Sequence, residues 1–126
     1  MTADDPFDLQ RFVDAQAPVY AQVVAELKAG RKESHWMWFV FPQAAGLGRS
    51  AMSERYAIRS PDEARAYLAH PILGPRLSEC MALVEAALAR GKTTEEIFGA
   101  VDAMKWRSCV ELFGEVFGGR SAIFVG

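Results

Sequence analysis

Residues 72–90 read ILGPRLSECMALVEAALAR, the stretch with the clearest helical pattern in the chain. Apolar side chains recur in it at intervals of three and four residues, at Leu73, Leu77, Cys80, Met81, Val84 and Leu88. This interval places them on one face of an α-helix. Gly91 follows as a stop, because glycine readily adopts the left-handed conformation at a helix C-terminus. The stretch therefore predicts a long amphipathic helix with one face in a hydrophobic core.

Two weaker helical patterns precede this stretch. Asp5-Pro6 is a candidate helix start, with aspartate as the cap and proline at the first helical position. Apolar residues at three- and four-residue spacing within residues 19–27 predict a second helix, which Gly30 ends. Ala17-Pro18 lies between the two patterns, and its proline either separates two helices or kinks one.

Capping signals mark the remaining helices. Ser50 predicts a helix through Tyr56, and Ser60-Pro61, with a glutamate three residues after the serine, predicts another to about Ala69. Thr94 is the predicted cap of a short helical turn. The last predicted helix is defined by six apolar residues and one lysine. They are Val101, Met104, Lys105, Cys109, Leu112, Phe113 and Val116.

Residues 36–41, WMWFVF, form the one strand candidate. Their composition suits a strand, but a short buried helix has the same composition, so the sequence leaves both states open. A chain of 126 residues has the size of one compact domain. We therefore predict an all-α fold, an irregular single-domain bundle of about five to seven helices without a large sheet, over residues 1–126.

Composition limits the classes of protein to which the chain can belong. Apolar residues make up 51% of it and charged residues 24%, which is typical of a globular protein. The acidic start lacks the basic and apolar segments of a secretory signal, and the longest apolar run is far too short to span a membrane. We therefore expect a cytoplasmic protein without membrane contact. Cys80 and Cys109 are expected to be buried thiols, with a disulfide between them as the minor alternative, and we predict no metal site and no cofactor.

Charge is distributed unevenly along the chain. The net charge is −2, whereas residues 28–60 contain six basic and two acidic side chains, a local net charge of +4. Such a region is more commonly a solvent-exposed basic face without a bound ligand. A basic region on an acidic protein nevertheless suits a small anionic ligand better than a polyanion, so we do not expect nucleic acid as the partner.

Residues 33–56 gather side chains that suit ligand binding. Tryptophans offer stacking faces, and a glycine followed by arginine and serine at a helix start can receive an anionic group. The predicted contacts with a small anionic, nucleotide-like or ADP-ribose-like ligand are Ser34, Trp36, Trp38, Gln43, Gly48, Arg49, Ser50, Ser53 and Tyr56. His35 and Glu33 are the candidates for proton exchange, since histidine titrates near neutral pH. The sequence leaves open whether the domain is an enzyme.

A structural meaning competes with these assignments. The tryptophans and the neighbouring phenylalanines can form the aromatic centre of the core, as large aromatic residues commonly do. The domain would then be a protein-interaction or structural module without catalytic activity. The environment of His35 discriminates between the two hypotheses. A solvent-connected cavity that His35 shares with Gln43 and Arg49 favours the ligand site, whereas enclosure by helix backbone favours the interaction module.

Several stretches of the chain carry a resemblance to a known family. They are DPFDLQRF at 5–12, SHWMWFVFPQ at 34–43, GLGRS at 46–50, YAI at 56–58, EARAYL at 63–68, HPILGPRL at 70–77, IFG at 97–99 and Asp102. In these the chain resembles the bacterial domain-of-unknown-function family eighteen-ten, whose members are sometimes labelled calpastatin. The match covers residues 5–113. The resemblance implies a mainly α-helical single domain and carries no established activity.

The chain departs from the family pattern towards its C-terminal end. Glu111 stands where the family typically has a small hydroxyl residue, and residues 114–126 form an atypical or shortened tail. The apolar residues of this tail are Phe117, Ile123, Phe124 and Val125. Because uncovered apolar surface favours association, we predict that the tail can pair two copies into a homodimer.

Overall fold

The computed structural model describes residues 5–116, with side chains through residue 114. Eight helices account for most of this range: α1 Gln10–Gln16, α2 Tyr20–Ala29, α3 Met37–Val40, α4 Ala51–Arg55, α5 Pro61–Ala69, α6 Leu73–Ala89, α7 Thr94–Phe98 and α8 Ala100–Val116. Within these residues, extended backbone pairs only in an isolated parallel bridge between Ala44 and Ile58. The predicted all-α class is confirmed. The predicted set of helices lacked α3, which lies in residues 36–41, the segment whose state the sequence could not decide between strand and helix.

The long helix α6 forms the centre of the bundle. It packs against α2, α5 and α7, while α8 packs against α5 and α7 and α1 packs against α3. The residues predicted on its core face are buried or nearly so, namely Leu73, Leu77, Cys80, Met81, Val84 and Leu88. Gly74 allows α5 to come close, because a Cβ atom at this position would collide with the carbonyl oxygen of Leu68.

Two aromatic clusters fill the core. In the first, the Phe41 ring packs edge to face on Phe98 and Trp106, with centroids 5.8 and 5.2 Å apart, and Trp36 lies 6.1 Å away. Edge-to-face geometry is favourable because the positive edge of one ring meets the negative face of the other. The second cluster consists of Phe12, Phe39, Tyr56, Tyr67 and Phe113.

Helix starts follow the local sequence signals at several positions. The side chains of Ser50 and Ser60 cap α4 and α5, as predicted, each accepting a hydrogen bond from the backbone N–H three residues later. At α7 the cap is Thr93 rather than Thr94, because Thr93 has the extended backbone of a cap and forms a complete capping box with Glu96.

The first helix begins later than the sequence suggested. Asp8 adopts a left-handed conformation with φ of 52°, and α1 starts only at Gln10. The Asp5 carboxylate still satisfies the helix start, accepting hydrogen bonds from the backbone N–H groups of Leu9 and Gln10 at 2.7 and 3.0 Å. The break at Ala17-Pro18 yields two separate helices, α1 and α2.

The core face of α8 differs from the predicted one. Its buried residues are Ala103, Trp106, Cys109 and Phe113, whereas Val101 and Met104 are 68% and 66% exposed. The buried residues recur at three- and four-residue spacing, and the exposed pair lies three residues apart on another side of the helix, so each set forms a stripe. The prediction merged the two stripes. Only the packing of α8 on α5 and α7 shows which stripe faces the core.

Two expectations from composition can be compared with the described residues. Cys80 and Cys109 are both free and buried, as predicted, and burial raises the pKa of the Cys109 thiol well above its ordinary value. No helix within residues 5–116 has the length and apolar character needed to cross a membrane. The apolar tail predicted to form a homodimer lies outside the described residues.

Candidate ligand-binding site

A buried carboxylate holds the loop that precedes α3. Glu26, on α2, is 5% exposed. Its Oε1 accepts hydrogen bonds from the Trp36 indole Nε1 at 2.9 Å and from the backbone N–H groups of Glu33 and Ser34 at 2.8 and 3.1 Å. Its Oε2 accepts from the Ser34 hydroxyl at 2.5 Å and from the Gln22 amide at 2.8 Å. Ser34 and Trp36 are therefore occupied within the protein.

Hydrogen bonding keeps Glu26 ionised. Burial raises the pKa of this carboxyl group, but the hydrogen bonds from Ser34, Glu33 and Gln22 outweigh that effect and lower the pKa to about 2. Each of these donors favours the charged form of the carboxyl group.

The low pKa of Glu26 predicts a loss of stability in acid. A carboxyl group whose pKa is lower in the folded than in the unfolded state stabilises the fold above its ordinary pKa of 4.5, and this stabilisation disappears as the pH falls towards about 2. The difference between the two pKa values corresponds to about 3 kcal/mol. Urea denaturation at several pH values between 7 and 3 measures the effect. The Glu26→Gln variant, which cannot ionise, should show a shallower loss, and parallel curves for the two proteins would contradict the prediction.

An ion-pair network joins this loop to α8. The Lys32 ammonium group donates to the Ser34 carbonyl oxygen at 2.5 Å and pairs with Asp102 Oδ2 at 2.9 Å. The other carboxylate oxygen of Asp102 lies 3.2 Å from the Lys105 Nζ. Burial raises the pKa of Asp102, but the two lysines outweigh this effect and leave the pKa below its ordinary value. Asp102 thus remains charged between two ammonium groups.

The first cleft opens beside this network. It has a volume of about 450 Å³ and its lining includes Lys32, His35, Trp38, Asp102 and Lys105. His35 is exposed and Trp38 is half-buried, with the Lys105 Nζ 4.9 Å from the centroid of the Trp38 ring. An aromatic face, an imidazole and two ammonium groups therefore converge on one solvent-connected cavity.

The second cleft adjoins the first along α8. It measures about 280 Å³ and is lined by Gln43, Leu47, Gly48, Ser53, Val101, Met104, Lys105 and Ser108. Val101 and Lys105 line both clefts. The four residues that α8 contributes here lie at spacings of three, one and three, so they share one face of the helix.

Local backbone contacts shape the second cleft. The bridge between Ala44 and Ile58 fixes the loop after α3, through hydrogen bonds from Ile58 N to Gln43 O at 2.9 Å and from Ala45 N to Ile58 O at 2.8 Å. Gly48 lies so close to Ser53 that a Cβ atom would collide with the serine side chain. A glycine is therefore required for the loop to approach α4.

The structure divides the predicted ligand contacts into four groups. The ones that line the two clefts are Trp38, Gln43, Gly48 and Ser53, together with the proton-exchange candidate His35. Trp36 and Tyr56 are 1% and 7% exposed and belong to the aromatic clusters, so they have no face for a ligand. Ser34 is bound to Glu26.

The remaining predicted residues lie at the surface. Arg49, Ser50 and Glu33 are exposed and are not among the lining residues of either cleft. The backbone N–H of Glu33 is directed to Glu26, which accounts for its position without a catalytic role. The discriminating test of His35 thus has a mixed result, because His35 faces a solvent-connected cavity, Gln43 lines the adjoining one and Arg49 lines neither.

Sequence reasoning missed the contribution of Lys32, Asp102 and the exposed stripe of α8. Asp102 and Lys105 are three residues apart on one helix, a spacing that brings side chains together. Lys32 lies 70 residues away along the chain, and only the tertiary fold brings it to Asp102. The available signal was the second apolar stripe of α8, since a helix with two such stripes has one for the core and one for another surface.

A third cleft, of about 350 Å³, lies next to α5. Its described lining is aliphatic apart from Ser60, Arg59 and Arg65. Arg59 donates to the carbonyl oxygen of Glu54 at 2.9 Å, and Arg65 lies 3.7 Å from the Asp62 carboxylate. The first two clefts are therefore the better candidates, because they combine aromatic, basic and neutral polar groups.

Fold and clefts together define a small all-helical domain with a polar and aromatic surface between the α3–α4 region and α8. The chain belongs to the family described as "Protein of unknown function (DUF1810)", whose model matches residues 6–125. This confirms the resemblance to family eighteen-ten.

The chain is also similar to a protein of known structure, the conserved hypothetical protein Rv1873 from Mycobacterium tuberculosis. The two chains are 56% identical, the aligned part covers 91% of this chain and 81% of that one, and the TM-score is 0.87. No curated protein matches the chain. These comparisons support the fold and the family, and neither description names an activity.

Proposed function

We propose that this domain binds a small anionic ligand with a planar ring, a nucleotide or ADP-ribose-like compound, in the first cleft. The observation that carries the proposal is the convergence of Lys32, Lys105, Trp38 and His35 on one open cavity. Ligand sites are typically concave, largely apolar and equipped with a few convergent polar groups.

The charge balance of the first cleft supports an anionic ligand. Two lysines share the single carboxylate of Asp102, so the cluster has a net positive charge. An ammonium group has three N–H donors, and Lys32 uses two of them in the described structure, for Ser34 and Asp102. Lys105 is the more accessible of the two, since its side chain is 21% exposed and that of Lys32 only 7%. A phosphate or carboxylate group can therefore accept hydrogen bonds here without displacing Asp102.

The aromatic part of the ligand is assigned to Trp38. The Lys105 ammonium lies over this half-buried ring, 4.9 Å from its centroid, so an anionic group on Lys105 is next to Trp38 and the ring of the ligand packs on the part of the indole that Lys105 leaves uncovered. His35 is exposed on the same cavity, and its two ring nitrogens can donate or accept a hydrogen bond. The geometry supports binding, and we assign no reaction to it.

Removing either main contact should weaken binding without unfolding the protein. We expect Lys105→Ala and Trp38→Ala each to raise the dissociation constant for AMP by about tenfold or more. A hydrogen bond to a charged group contributes about 1.5–3 kcal/mol, and stacking of a base on an aromatic ring contributes about 1–3 kcal/mol. Isothermal titration calorimetry measures the constant, and the quenching of tryptophan fluorescence by AMP provides a second readout.

Arg107→Ala is the matched control. Arg107 is a basic residue on the same helix, and it pairs with the exposed Glu95 outside both clefts. Its loss should leave the AMP affinity unchanged. An equal loss in Arg107→Ala and Lys105→Ala would indicate general charge attraction in place of a specific site, and absence of AMP and ADP-ribose binding by the wild-type protein would refute the proposal.

A protein-interaction module is the second candidate function. It is favoured by the exposed apolar side chains Leu47, Val101 and Met104, which are 60–68% accessible and lie together at the second cleft. Exposed apolar patches often mark interaction sites. The two functions differ in the expected effect of Met104→Ser, which removes apolar surface without adding a charge beside Lys105. It should weaken partner binding but leave AMP affinity in the first cleft unchanged.

A further inference from the structure

We infer that the second cleft is the other half of the same site and receives a hydroxyl-rich, sugar-like group attached to the anionic group of the ligand. This inference rests on the proposed function of the first cleft. The ligand would then have two ends, with its ring at Trp38, its anionic group at Lys105 and its sugar-like end among Gln43, Ser53 and Ser108.

The two clefts are joined at Lys105 and Val101, which line both of them. Lys105 lies 3.2 Å from Asp102 on the side of the first cleft, and Ser108 lies one turn further along α8 on the side of the second. From Val101 to Ser108 the helix rises about 10 Å, at 1.5 Å per residue. The combined site is therefore elongated along α8, and an anionic group at Lys105 has space for a substituent on each side.

The second cleft has the chemistry of a sugar site. Its polar side chains are the Gln43 amide and the Ser53 and Ser108 hydroxyls, all half-buried. Each of them can both donate and accept hydrogen bonds, as the hydroxyl groups of a sugar can. Among the described residues of its lining, Lys105 supplies the one positive charge. A neutral polar group thus fits better here than a second phosphate.

The walls of the second cleft complete this assignment. Leu47, Val101 and Met104 are exposed next to the three polar side chains and can cover the C–H face of a sugar ring. The Ser53 hydroxyl is positioned from two directions, by a 2.9 Å contact with the Ser50 hydroxyl and by the close approach of Gly48. A polar group is therefore held at the cleft before any ligand arrives.

The inference is tested by comparing AMP with ADP-ribose, in which a second phosphate and a ribose extend the 5′-phosphate of AMP. We expect the wild-type protein to bind ADP-ribose about tenfold more tightly than AMP, because two additional hydrogen bonds contribute about that much. Ser108→Ala and Gln43→Ala should each reduce this preference about three- to tenfold and leave the AMP constant unchanged. Lys105→Ala should weaken both ligands.

Ser78→Ala, an exposed serine on α6, is the matched control and should alter neither constant. Thermal unfolding of each variant shows whether it folds. If Ser108→Ala does not fold, Gln43→Ala provides an independent second test. AMP binding with no preference for ADP-ribose would overturn the two-part site while leaving the first-cleft proposal intact. An equal loss for both ligands in Ser108→Ala would also overturn it, and failure of both ligands to bind the wild-type protein would refute both proposals.

Discussion

Glu26→Ala is expected to lower the free energy of unfolding by about 4 kcal/mol, because the donors left without an acceptor, one buried and the others partly buried, cost about 1–3 kcal/mol each. The substitution removes the acceptor of the Trp36 indole N–H and of the backbone N–H groups of Glu33 and Ser34. Since small domains are stable by only about 5–15 kcal/mol, this loss is a large part of the total. Urea denaturation followed by circular dichroism measures it.

The same substitution should disturb the first cleft. Ser34 joins Glu26 to Lys32, since its hydroxyl and N–H donate to the carboxylate while its carbonyl oxygen accepts from the lysine. The Lys32 ammonium also lies 5.1 Å from the centroid of the Trp36 ring. Release of this loop should therefore shift Lys32 away from Asp102 and weaken AMP binding in any fraction that remains folded.

Glu33→Ala is the control for Glu26→Ala. Glu33 is an exposed glutamate in the same loop, and its backbone N–H, which donates to Glu26, is retained in the variant. We expect nearly wild-type stability. If Glu26→Ala proved no more destabilising than Glu33→Ala, the hydrogen-bond network around Glu26 would not hold the loop as described.

The second large effect is expected for Arg11→Ala, at about 3–5 kcal/mol of unfolding free energy. Arg11 pairs with Glu63 at 2.9 Å, and the two side chains are only 8% and 4% exposed. The same guanidinium group donates to the carbonyl oxygens of Arg55 and Ala57 at 2.8 and 2.9 Å. Its removal leaves the buried Glu63 carboxylate without its positive partner and takes a donor away from both of these carbonyl oxygens. Thermal and urea denaturation measure the change.

Two further variants serve as comparisons, one for the shape of the Arg11 side chain and one for the burial of its ion pair. Arg11→Lys keeps the charge but lacks the planar fork of five N–H donors, so it should recover only part of the lost stability. Arg107→Ala breaks an exposed pair with Glu95 and should leave stability nearly unchanged, because exposed ion pairs contribute little. Wild-type stability in Arg11→Lys would show that the charge alone is sufficient.

Arg11 also explains part of the family resemblance. It lies in DPFDLQRF, one of the stretches that carry the match, and it connects α1 to the end of α4. The stretch SHWMWFVFPQ contains residues of both kinds. Ser34 and Trp36 bind Glu26 and hold the loop, whereas Trp38 and Gln43 line the clefts. A family motif of this kind therefore mixes structural residues with residues available to a ligand.

The sequence predicted elements whose signals are local. The apolar stripe of α6 and the caps Ser50 and Ser60 act within a few residues of chain, and all of them have the predicted roles. The identity of α3 could not be predicted in the same way. A buried segment of four helical residues is apolar on every side, so neither the helical nor the strand period shows in it.

The candidate site was predictable only in part. The chemical types in residues 33–56 indicated a polar and aromatic surface, and Trp38, His35, Gln43, Gly48 and Ser53 do line the clefts. The same composition could not separate Trp38 from Trp36, which lies two residues away. Trp36 is held in the core because its indole N–H meets Glu26, ten residues earlier in the chain.

The amino-acid sequence by itself determined the helical class, the main helix starts and the family, because helical period, capping and motif identity are properties of short segments. Only the tertiary structure decided which stripe of α8 faces the core, which tryptophan reaches the surface and which lysines share Asp102. The physical reason is that burial and ion pairing depend on partners from distant parts of the chain, such as Lys32 and Asp102. Those partners come into contact only in the folded helical bundle.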